Sequence, residues 1–388
     1  MGESVCPAVR SVIECWRLFG ERVYRGRVGR LAGYVSGVGA DCIVVFSCYG
    51  DRDGNAVYLT GFRSGFPPGM DDADVRGLGC SAVVVSQSGE VTLVSPLQSF
   101  KTCNGYFDRL ICGRDLVKAL LSLLAGMGVR RVLLEGLDVI PSMYVDALKN
   151  SMLGVEFVKT GVVAEMRVSK SPEEVDMLRR AAAVGDKVLE ECPNLMREGM
   201  REKELAAELT KLAYETGADY VIRTRVACGE RATYLTYPFA GERKITKEEL
   251  VAVDVIGWVG DYAFDLLRTY TLSKRKELLK VIEKAAEATD DMINNLKPDV
   301  VIDSLCRNLE DKLSDKNYEV TAFGHGIGVE VVEKPLLVRD NPAKLHVNTT
   351  LCVEPRAAMG GKAAQVEDTV VVTETGAELL SKAPRVFR

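Results

Sequence analysis

Isolated charged residues interrupt three apolar, glycine-rich segments of this 388-residue chain. The segments read VAVDVIGWVGDYAFDLLRT, FGHGIGVEVVEKP and LCVEPRAAMGGKAAQVEDTVVVT, and their apolar runs are typical of β-strands. Burying an unpaired carboxylate is costly, so a fold that buries these strands must neutralise their acids. The residues concerned are Asp254, Asp265, His325, Glu354 and Glu367. We predict that they converge on a pair of metal ions.

The spacing within the first segment favours a hairpin that pairs its two aspartates. A two-residue turn at Val259-Gly260 would place Asp254 directly opposite Asp265. Like charges that face each other on one side of a sheet repel, and a divalent cation between them removes the repulsion. The alternative is that both acids lie at a hairpin edge and face water.

The third segment predicts a second hairpin of the same kind. Gly-Gly is a favoured two-residue connection, and a turn at Gly360-Gly361 would place Glu354 opposite Glu367. Four carboxylates together balance the charge of two divalent ions. Here too the alternative is that both acids lie at a hairpin edge and face water, and that their opposed register is accidental.

These motifs carry a resemblance to the pita-bread metallopeptidases, the family of methionine aminopeptidases, Xaa-Pro dipeptidases, aminopeptidase P and creatinase. All five metal-ligand positions of that family match, and the matching stretches are Asp254, Asp265 with Leu267-Arg268-Thr269, His325 in GHGIG, Glu354-Pro355 and Glu367-Asp368. The resemblance implies two divalent ions, and ligands rich in oxygen with one imidazole suit Mn²⁺, Co²⁺, Fe²⁺ or Zn²⁺. It also implies hydrolysis of a peptide or related amide, with Glu354 passing a proton to the leaving nitrogen.

The resemblance extends over nearly the whole chain. RLAGYVSGVGADCIVVFS and NAVYLTGF resemble the amino-terminal domain of the prolidase and aminopeptidase P branch, and MRVSKSPEEVDMLRR resembles the start of its catalytic domain. We therefore expect an α/β, creatinase-like domain with a mixed sheet over residues 1–165. An α+β pita-bread domain should follow over residues 166–388. Long prolidase-like chains usually pair, so the resemblance also implies a homodimer.

Two positions depart from the family where its active peptidases hold a substrate-contacting histidine. Thr236 occupies the first of these positions and Val332 the second. The imidazoles are thought to hold the peptide carbonyl, which valine cannot do and threonine does only weakly. Gln365 and Leu267 likewise replace an arginine and a threonine near the metal ligands.

Two functions from different classes therefore stay open. The first is a metal-dependent hydrolase of Xaa-Pro peptides or a related amide, weak or of altered substrate. The second is a catalytically silent metal-binding protein that uses the same cleft to recognise peptides. Tyr234 and Tyr237 either face the cleft as hydrogen-bond donors or simply pack, and Arg356 binds either a substrate carboxylate or a surface acid. His346 should be exposed.

Composition excludes several other classes. A net charge of -5 and a pI near 5.5 argue against nucleic-acid binding by bulk electrostatics. The apolar stretches are too short and too charged to span a bilayer, and the first residues do not resemble a signal sequence, so we expect a cytoplasmic protein. The 11 cysteines are scattered, which favours small core residues, with a disulfide if the source is a hyperthermophile.

Local patterns predict the elements. In the first part ADCIVVFS, NAVYLTG, SAVVVS, VTLVSP and RRVLLEG should be strands, and DLVKALLSLLAGM a helix ended by Gly126 or Gly128. Ser171-Pro172-Glu173-Glu174 is typical of a helix start and should open the second domain. After it, helix pairs should alternate with β-hairpins.

Overall fold

The computed structural model describes residues 6–7, 19–50, 53–64, 79–95, 105–233 and 239–387. The chain divides into two compact units, Met1–Met166 and Arg167–Arg388. Over the described ranges, no helix combines the length and the apolar character that crossing a membrane requires.

A seven-stranded mixed sheet forms the centre of the first unit. Its strands are β1 (Cys6–Pro7), β2 (Cys42–Cys48), β3 (Cys80–Ser86), β4 (Val91–Val94), β5 (Arg109–Ile111), β6 (Arg131–Glu135) and β7 (Glu156–Lys159). They lie in the order β1-β5-β4-β3-β2-β6-β7, with antiparallel pairs around β3 and parallel pairs from β2 through β6 to β7. The predicted mixed α/β sheet is confirmed.

Helices accompany this sheet, and one of them corrects a predicted strand. They are α1 (Glu21–Gly37), α2 (Gly54–Thr60), α3 (Leu116–Met127), α4 (Ser142–Ser151) and α5 (Val162–Met166). The segment NAVYLTG lies in α2 and the strand prediction was wrong. Nearly all of α2 is buried, so its unbroken apolar run lacks the periodicity that separates a helix from a strand. Gly61, at φ 71°, ends it in the left-handed conformation.

Helix α3 follows its prediction closely. The Asp115 carboxylate accepts a hydrogen bond from Lys118 N at the start of the helix. Gly128 ends it at φ 64°, which settles the choice between the two candidate glycines. Its buried leucines pack in an apolar core with the sheet.

Most of the cysteines whose burial the structure describes are buried, as predicted. Cys42, Cys192 and Cys306 lie in apolar cores and are fully buried. Cys48 and Cys80 are directly paired residues of β2 and β3 and form a disulfide.

Four long helices build the second unit. They are α6 (Pro172–Leu195), α7 (Glu202–Glu215), α8 (Lys276–Asn294) and α9 (Ile302–Leu313). The first begins as predicted: Ser171 Oγ accepts a hydrogen bond from Glu174 N, and the Glu174 carboxylate accepts one from Ser171 N. This reciprocal pair satisfies two amide groups that a helix start leaves free.

The strands of the second unit form three sheets. They are β8 (Tyr220–Cys228), β9 (Val251–Val259), β10 (Tyr262–Tyr270), β11 (Glu319–Thr321), β12 (Gly324–Gly326), β13 (Glu333–Leu336), β14 (Thr350–Val353), β15 (Arg356–Met359), β16 (Lys362–Gln365), β17 (Asp368–Val372) and β18 (Ala377–Leu379). The sheet orders are β10-β9-β8, β11-β15-β16 and β13-β12-β14-β17-β18.

Each helix pair has its own apolar core. Helices α6 and α7 pack on β8, β9 and β10, whereas α8 and α9 pack on β11, β14, β15, β16 and β17. This alternation of helix pairs and hairpins is the predicted α+β arrangement. Its consequence is that the polar ligand residues lie on sheet faces that the helices do not cover.

Candidate metal centre

The first hairpin brings Asp254 and Asp265 to one sheet face, but not as a directly opposed pair. Val259 pairs with Tyr262, so the turn lies at Gly260-Asp261 and not at Val259-Gly260 as predicted. Asp254 therefore faces Leu267, and Asp265 faces Ile256. Gly260 at φ 59° suits the first position of a tight turn, which explains the shift of one residue. The aspartates are diagonal neighbours, and side chains two positions apart on a strand share a face.

The second hairpin has the predicted register. Met359 pairs with Lys362 across Gly360-Gly361, whose φ angles are 54° and 74°. The same register continues beyond the glutamates, where Val353 pairs with Asp368. Glu354 and Glu367 lie between the two paired stretches, where the chain passes from one sheet to the next. Their carboxylates therefore project from a junction of sheets.

His325 is on the short strand β12, between β13 and β14, and pairs with Cys352. A Cβ atom at Gly324 would collide with the Cys352 carbonyl oxygen, and one at Gly326 with that of Lys334. The glycines on either side of His325 are therefore required by the close approach of the neighbouring strands.

The five predicted ligands converge. Oxygen atoms of Asp254, Asp265 and Glu367 all lie within 4.8 Å of one another. His325 Nε2 is 3.6 Å from Asp265 Oδ2 and 3.5 Å from Glu354 Oε1. The cluster is largely enclosed, since Glu367 is 1% exposed and the Glu354 side chain, the most accessible of the carboxylates, 12%.

Crowding and burial make it unfavourable for all the carboxyl groups of this cluster to be ionised when no cation is bound. Burial, and then the charge of Asp254, raises the pKa of Glu354 to about 8, partly offset by Arg225 and Arg223. Burial and neighbouring carboxylates raise the pKa of Asp265 and of Glu367 well above the ordinary range. Burial lowers the pKa of His325, which keeps its imidazole neutral.

Two orphaned atoms show that the residues fit a bound cation. Among the described residues, Asp254 Oδ1 and Glu367 Oε1 are buried without a hydrogen-bond partner. Such atoms are uncommon in folded proteins because each loses its hydrogen bonds to water. Converging carboxylates with one neutral imidazole form a donor set for divalent ions. The five residues thus offer ligand atoms, two of which have no hydrogen-bond partner among the described residues.

Arg225 is a buried neighbour of this cluster that the sequence interpretation missed. It pairs with Asp254 across β8 and β9, is 3% exposed, and its Nε lies 3.8 Å from Asp254 Oδ2. Arg223 lies two residues earlier on the same strand. In the strand YVIRTRVAC, Arg223 and Arg225 are two residues apart and therefore lie on one face of the sheet. If the sequence had shown that this strand pairs with β9, it would also have predicted that the arginines lie close to Asp254.

Buried side chains next to the cluster hold the backbone around Glu367 in place by hydrogen bonds. The buried Arg268 guanidinium donates to the carbonyl oxygens of Glu367, Ala383 and Pro384 and to the Asp368 carboxylate. Thr269 Oγ1 donates to Gln365 O at 2.9 Å and accepts from Gln365 N at 3.0 Å.

Gln365 and Leu267, the two replaced neighbours of the ligands, lie beside them. Gln365 Nε2 donates to Glu354 O at 3.4 Å. Leu267 faces Asp254 across the first hairpin and is buried, and its carbonyl oxygen accepts from Glu367 N at 2.9 Å. Both residues therefore support ligand positions through backbone contacts.

Two buried glutamates of the second unit have cationic partners. Glu333 accepts from Arg167 at 2.7 Å and from Lys170 at 3.0 Å, in the segment that follows the GHGIG motif. Glu202 accepts from Cys228 N at 2.9 Å and from Gly241 N at 2.8 Å. Glu202 lies at the start of a helix, and nothing in the sequence around it indicated its contacts with Cys228 and Gly241.

The predicted substrate-contacting positions have different outcomes. Thr236, Tyr234 and Tyr237 lie outside the described residues. Val332 is described, and the residue is 55% exposed in the bend before β13.

Arg356 and His346 complete the predicted positions. Arg356 Nε donates to Thr233 O at 3.2 Å, and the residue lines an open groove of about 440 Å³ together with Lys316 and Lys362. Neither of the two roles considered for Arg356 is decided by this contact. His346 is exposed, as predicted.

Comparison with known proteins agrees with this geometry. The family model described as metallopeptidase family M24 matches residues 176–374, slightly more than half of the chain. The Xaa-Pro dipeptidase of Pyrococcus furiosus is 28% identical over 232 residues, which cover 58% of this chain and 66%, just under two thirds, of that relative. The Xaa-Pro dipeptidase of Pyrococcus horikoshii is 28% identical over 255 residues, covering 63% of this chain and 72% of the relative.

Solved structures match nearly the whole length of the chain. The X-Pro aminopeptidase from Thermotoga maritima has a TM-score of 0.80 at 23% identity and covers 93% of this chain and 99% of its own. The prolidase from P. horikoshii OT3 has a TM-score of 0.78 at 21% identity, with the same coverage. These matches confirm the predicted fold, an α/β amino-terminal domain followed by a pita-bread domain. The converging ligands and the family match lead to one conclusion: this chain is a member of metallopeptidase family M24.

Proposed function

We propose that this chain is a hydrolase of Xaa-Pro peptides, or of a related amide, that depends on two divalent metal ions. The observation that carries the proposal is the convergence of Asp254, Asp265, His325, Glu354 and Glu367. Two buried oxygens of this cluster have no hydrogen-bond partner in the part of the chain that the structure describes. Relatives named Xaa-Pro dipeptidases support the substrate class. Weak activity or an altered substrate is part of the proposal.

The five residues divide between two sets of ligands. Asp254, Asp265 and Glu367 would hold one ion, and His325 and Glu354 would hold the other together with carboxylates shared from the first set. A divalent ion supplies Lewis-acid activation of water and of the scissile carbonyl. Four carboxylates balance the charge of two such ions, which explains why an enclosed site contains so many acids.

Glu354 is suited to carry the proton. Its side chain is the most accessible of the cluster carboxylates, so it can exchange a proton with water and with a bound substrate. The residue would accept a proton from the attacking water and donate it to the leaving nitrogen. His325 stays neutral and binds through a ring nitrogen, while its Nδ1 lies 3.0 Å from Gly326 O.

The groups that hold the carbonyl oxygen are where this chain differs from the family pattern. Val332 offers no hydrogen-bond donor, and Thr236 offers only a hydroxyl. Positive charge near the ligands comes from Arg225, close to Asp254. A missing oxyanion donor slows an enzyme by roughly a hundred- to a thousandfold, so we propose that turnover of standard Xaa-Pro dipeptides is slow.

Val332 also favours a second candidate function, a catalytically silent metal-binding protein that recognises peptides in the same cleft. In that case the ions would organise the fold of the site without turnover. Binding of peptides without cleavage would identify this function.

A substrate survey tests the proposal. The metal-free protein would be reconstituted with Mn²⁺, Co²⁺, Fe²⁺ or Zn²⁺ and incubated with Xaa-Pro dipeptides, longer Xaa-Pro peptides and amides that lack proline. We expect hydrolysis that requires metal and that the Asp265→Asn variant loses, whereas Glu374→Gln, at an exposed acid, retains it. Metal binding without hydrolysis of any compound would overturn the hydrolase and support the binding protein.

The proposal includes a homodimer, which the resemblance to prolidases implies. Sedimentation at micromolar concentration measures the assembly directly. We expect a dimer, and a chain that remains monomeric at these concentrations would contradict this part of the proposal.

A further inference from the structure

Cys352 is a buried thiol beside the metal ligands. It lies on β14 directly opposite His325 of β12, and it is fully buried. It also precedes Glu354 by two residues. The cysteine is thus next to one ligand across the sheet and close to another along the chain.

The thiol has weak partners in this position. Its Sγ lies 3.6 Å from Asp265 O and 3.9 Å from Thr369 Oγ1, and the thiol also hydrogen-bonds to the Glu367 carboxylate. A thiol is a weak hydrogen-bond donor. Cys192 and Cys306 instead pack among apolar side chains of the two cores. The surroundings of Cys352 are those of a ligand cluster.

Three donor atoms of different types meet at this point. A ring nitrogen of His325, Sγ of Cys352 and a carboxylate oxygen of Glu367 all lie within 4.8 Å of one another. Donors bound to one ion at about 2.0–2.3 Å lie at most about 4.6 Å apart, and the 4.8 Å limit on the separations here is compatible with that spacing. In addition, Glu367 Oε1 is buried and has no hydrogen-bond partner among the described residues.

We propose that Cys352 releases its thiol proton to water and becomes a sulfur ligand of the ion that His325 and Glu367 would hold. The sulfur would make this centre select thiophilic divalent ions such as Zn²⁺ and Co²⁺ over Mn²⁺. The inference rests on the divalent-metal site of the proposed function. Sulfur donors favour zinc, whereas carboxylate and water ligands suit manganese. Replacing the sulfur by oxygen would therefore change the preference of the site between ions and leave the rest of the ligand set in place.

Optical spectroscopy of the cobalt-loaded protein tests the proposal without any activity measurement. A sulfur-to-cobalt charge-transfer band in the near ultraviolet is expected in the wild-type protein, together with the weaker visible bands of bound Co²⁺. Cys352→Ser should keep the visible bands and lose the charge-transfer band. Cys112→Ser, at a half-buried thiol of the first unit, should keep both.

A competition between Zn²⁺ and Mn²⁺ gives a second readout. In Cys352→Ser the preference for Zn²⁺ should fall by about tenfold or more, the range in which altered ligand surroundings change metal affinity. Visible Co²⁺ bands without a charge-transfer band in the wild type would overturn the sulfur ligand and leave the proposed hydrolase standing. Absence of any Co²⁺ binding would overturn both. The wild-type spectrum decides the question even if the serine variant fails to fold.

Discussion

Two groups of buried carboxylates in the second unit have opposite surroundings. Glu333 and Asp368 each contact two cations, and although burial raises the pKa of a carboxyl group, these charges outweigh it and lower the pKa of both. Asp265 and Glu367 face other carboxylates, and burial and this crowding raise their pKa. The first group completes its own charge balance within the chain. The second group has no such balance among the described residues. This difference distinguishes carboxylates that stabilise the fold through ion pairs from carboxylates that are candidates for binding a cation.

The largest expected effect on activity is the loss of metal binding at the second group, Asp265 and Glu367, which we call the crowded group. Glu367→Ala should abolish metal-dependent hydrolysis and the metal-induced rise in melting temperature. In the wild type, an ion at a hundred times its Kd stabilises the fold by about 2.7 kcal/mol. Thermal unfolding with and without metal measures this, with Glu374→Ala as the exposed control. A variant that keeps the full shift would show that Glu367 is not a ligand.

In the absence of metal, a Glu→Gln substitution should change the free energy of unfolding in opposite directions in the two groups. Glu333→Gln leaves Arg167 and Lys170 buried without their partner, which should destabilise the fold by about 3–5 kcal/mol. Glu367→Gln removes a carboxyl group that must either repel its neighbours or take up a proton on folding, so it should stabilise the metal-free fold at neutral pH. Urea unfolding in the presence of a chelator measures both. Equal signs would contradict the comparison.

The two groups should also give opposite pH dependence. Burial raises the pKa of Glu333, but Arg167 and Lys170 outweigh it and lower the value from an ordinary 4.5 to about 2. Its stabilising contribution, on the order of 3 kcal/mol, is therefore complete above pH 4.5 and is lost as the pH falls towards 2.

Glu354 in the metal-free protein should show the reverse. Burial raises its pKa to about 8, so its contribution is complete below pH 4.5 and is lost as the pH rises to 8. Unfolding free energies of metal-free wild type and Glu354→Gln across this range measure the difference. A metal-free stability that does not fall between pH 4.5 and 8, or that falls equally in the variant, would refute this assignment.

The smallest expected effect concerns the donors around the crowded group. Changing Thr236 and Val332 together to histidine should raise kcat/KM on Xaa-Pro dipeptides by at least about tenfold, or about 1.4 kcal/mol of transition-state stabilisation. Metal content should stay unchanged, since neither position is a ligand. Steady-state kinetics at fixed metal content give the result. No increase would favour the silent binding protein, and wild-type rates equal to those of ordinary prolidases would refute the argument from the missing histidines.

The convergence of the candidate ligands could be predicted from sequence because acids inside β-type apolar runs stand out. The Gly360-Gly361 turn could also be predicted, since both glycines adopt the positive φ angles that such a turn requires. The turn at Gly260-Asp261 was missed by one residue because a single glycine fits either position of the turn.

Long-range contacts had no local signal in the sequence. Arg225 lies near Asp254 only because β8 pairs with β9, and the carboxylate of Glu202 joins backbone amides 13 residues apart, at Cys228 and Gly241. Helix α2 was mistaken for a strand because a short, fully buried apolar run has no period.

The contacts of Arg268 make the support of Glu367 depend on residues that are synthesised after it. One guanidinium joins the backbone at Glu367 to the carbonyl oxygens of Ala383 and Pro384, so residues far along the chain complete the wall behind this ligand. While a ribosome is still adding residues up to 383–384, Arg268 lacks these acceptors. The backbone support of Glu367 is therefore complete only after residues 383–384 have been synthesised.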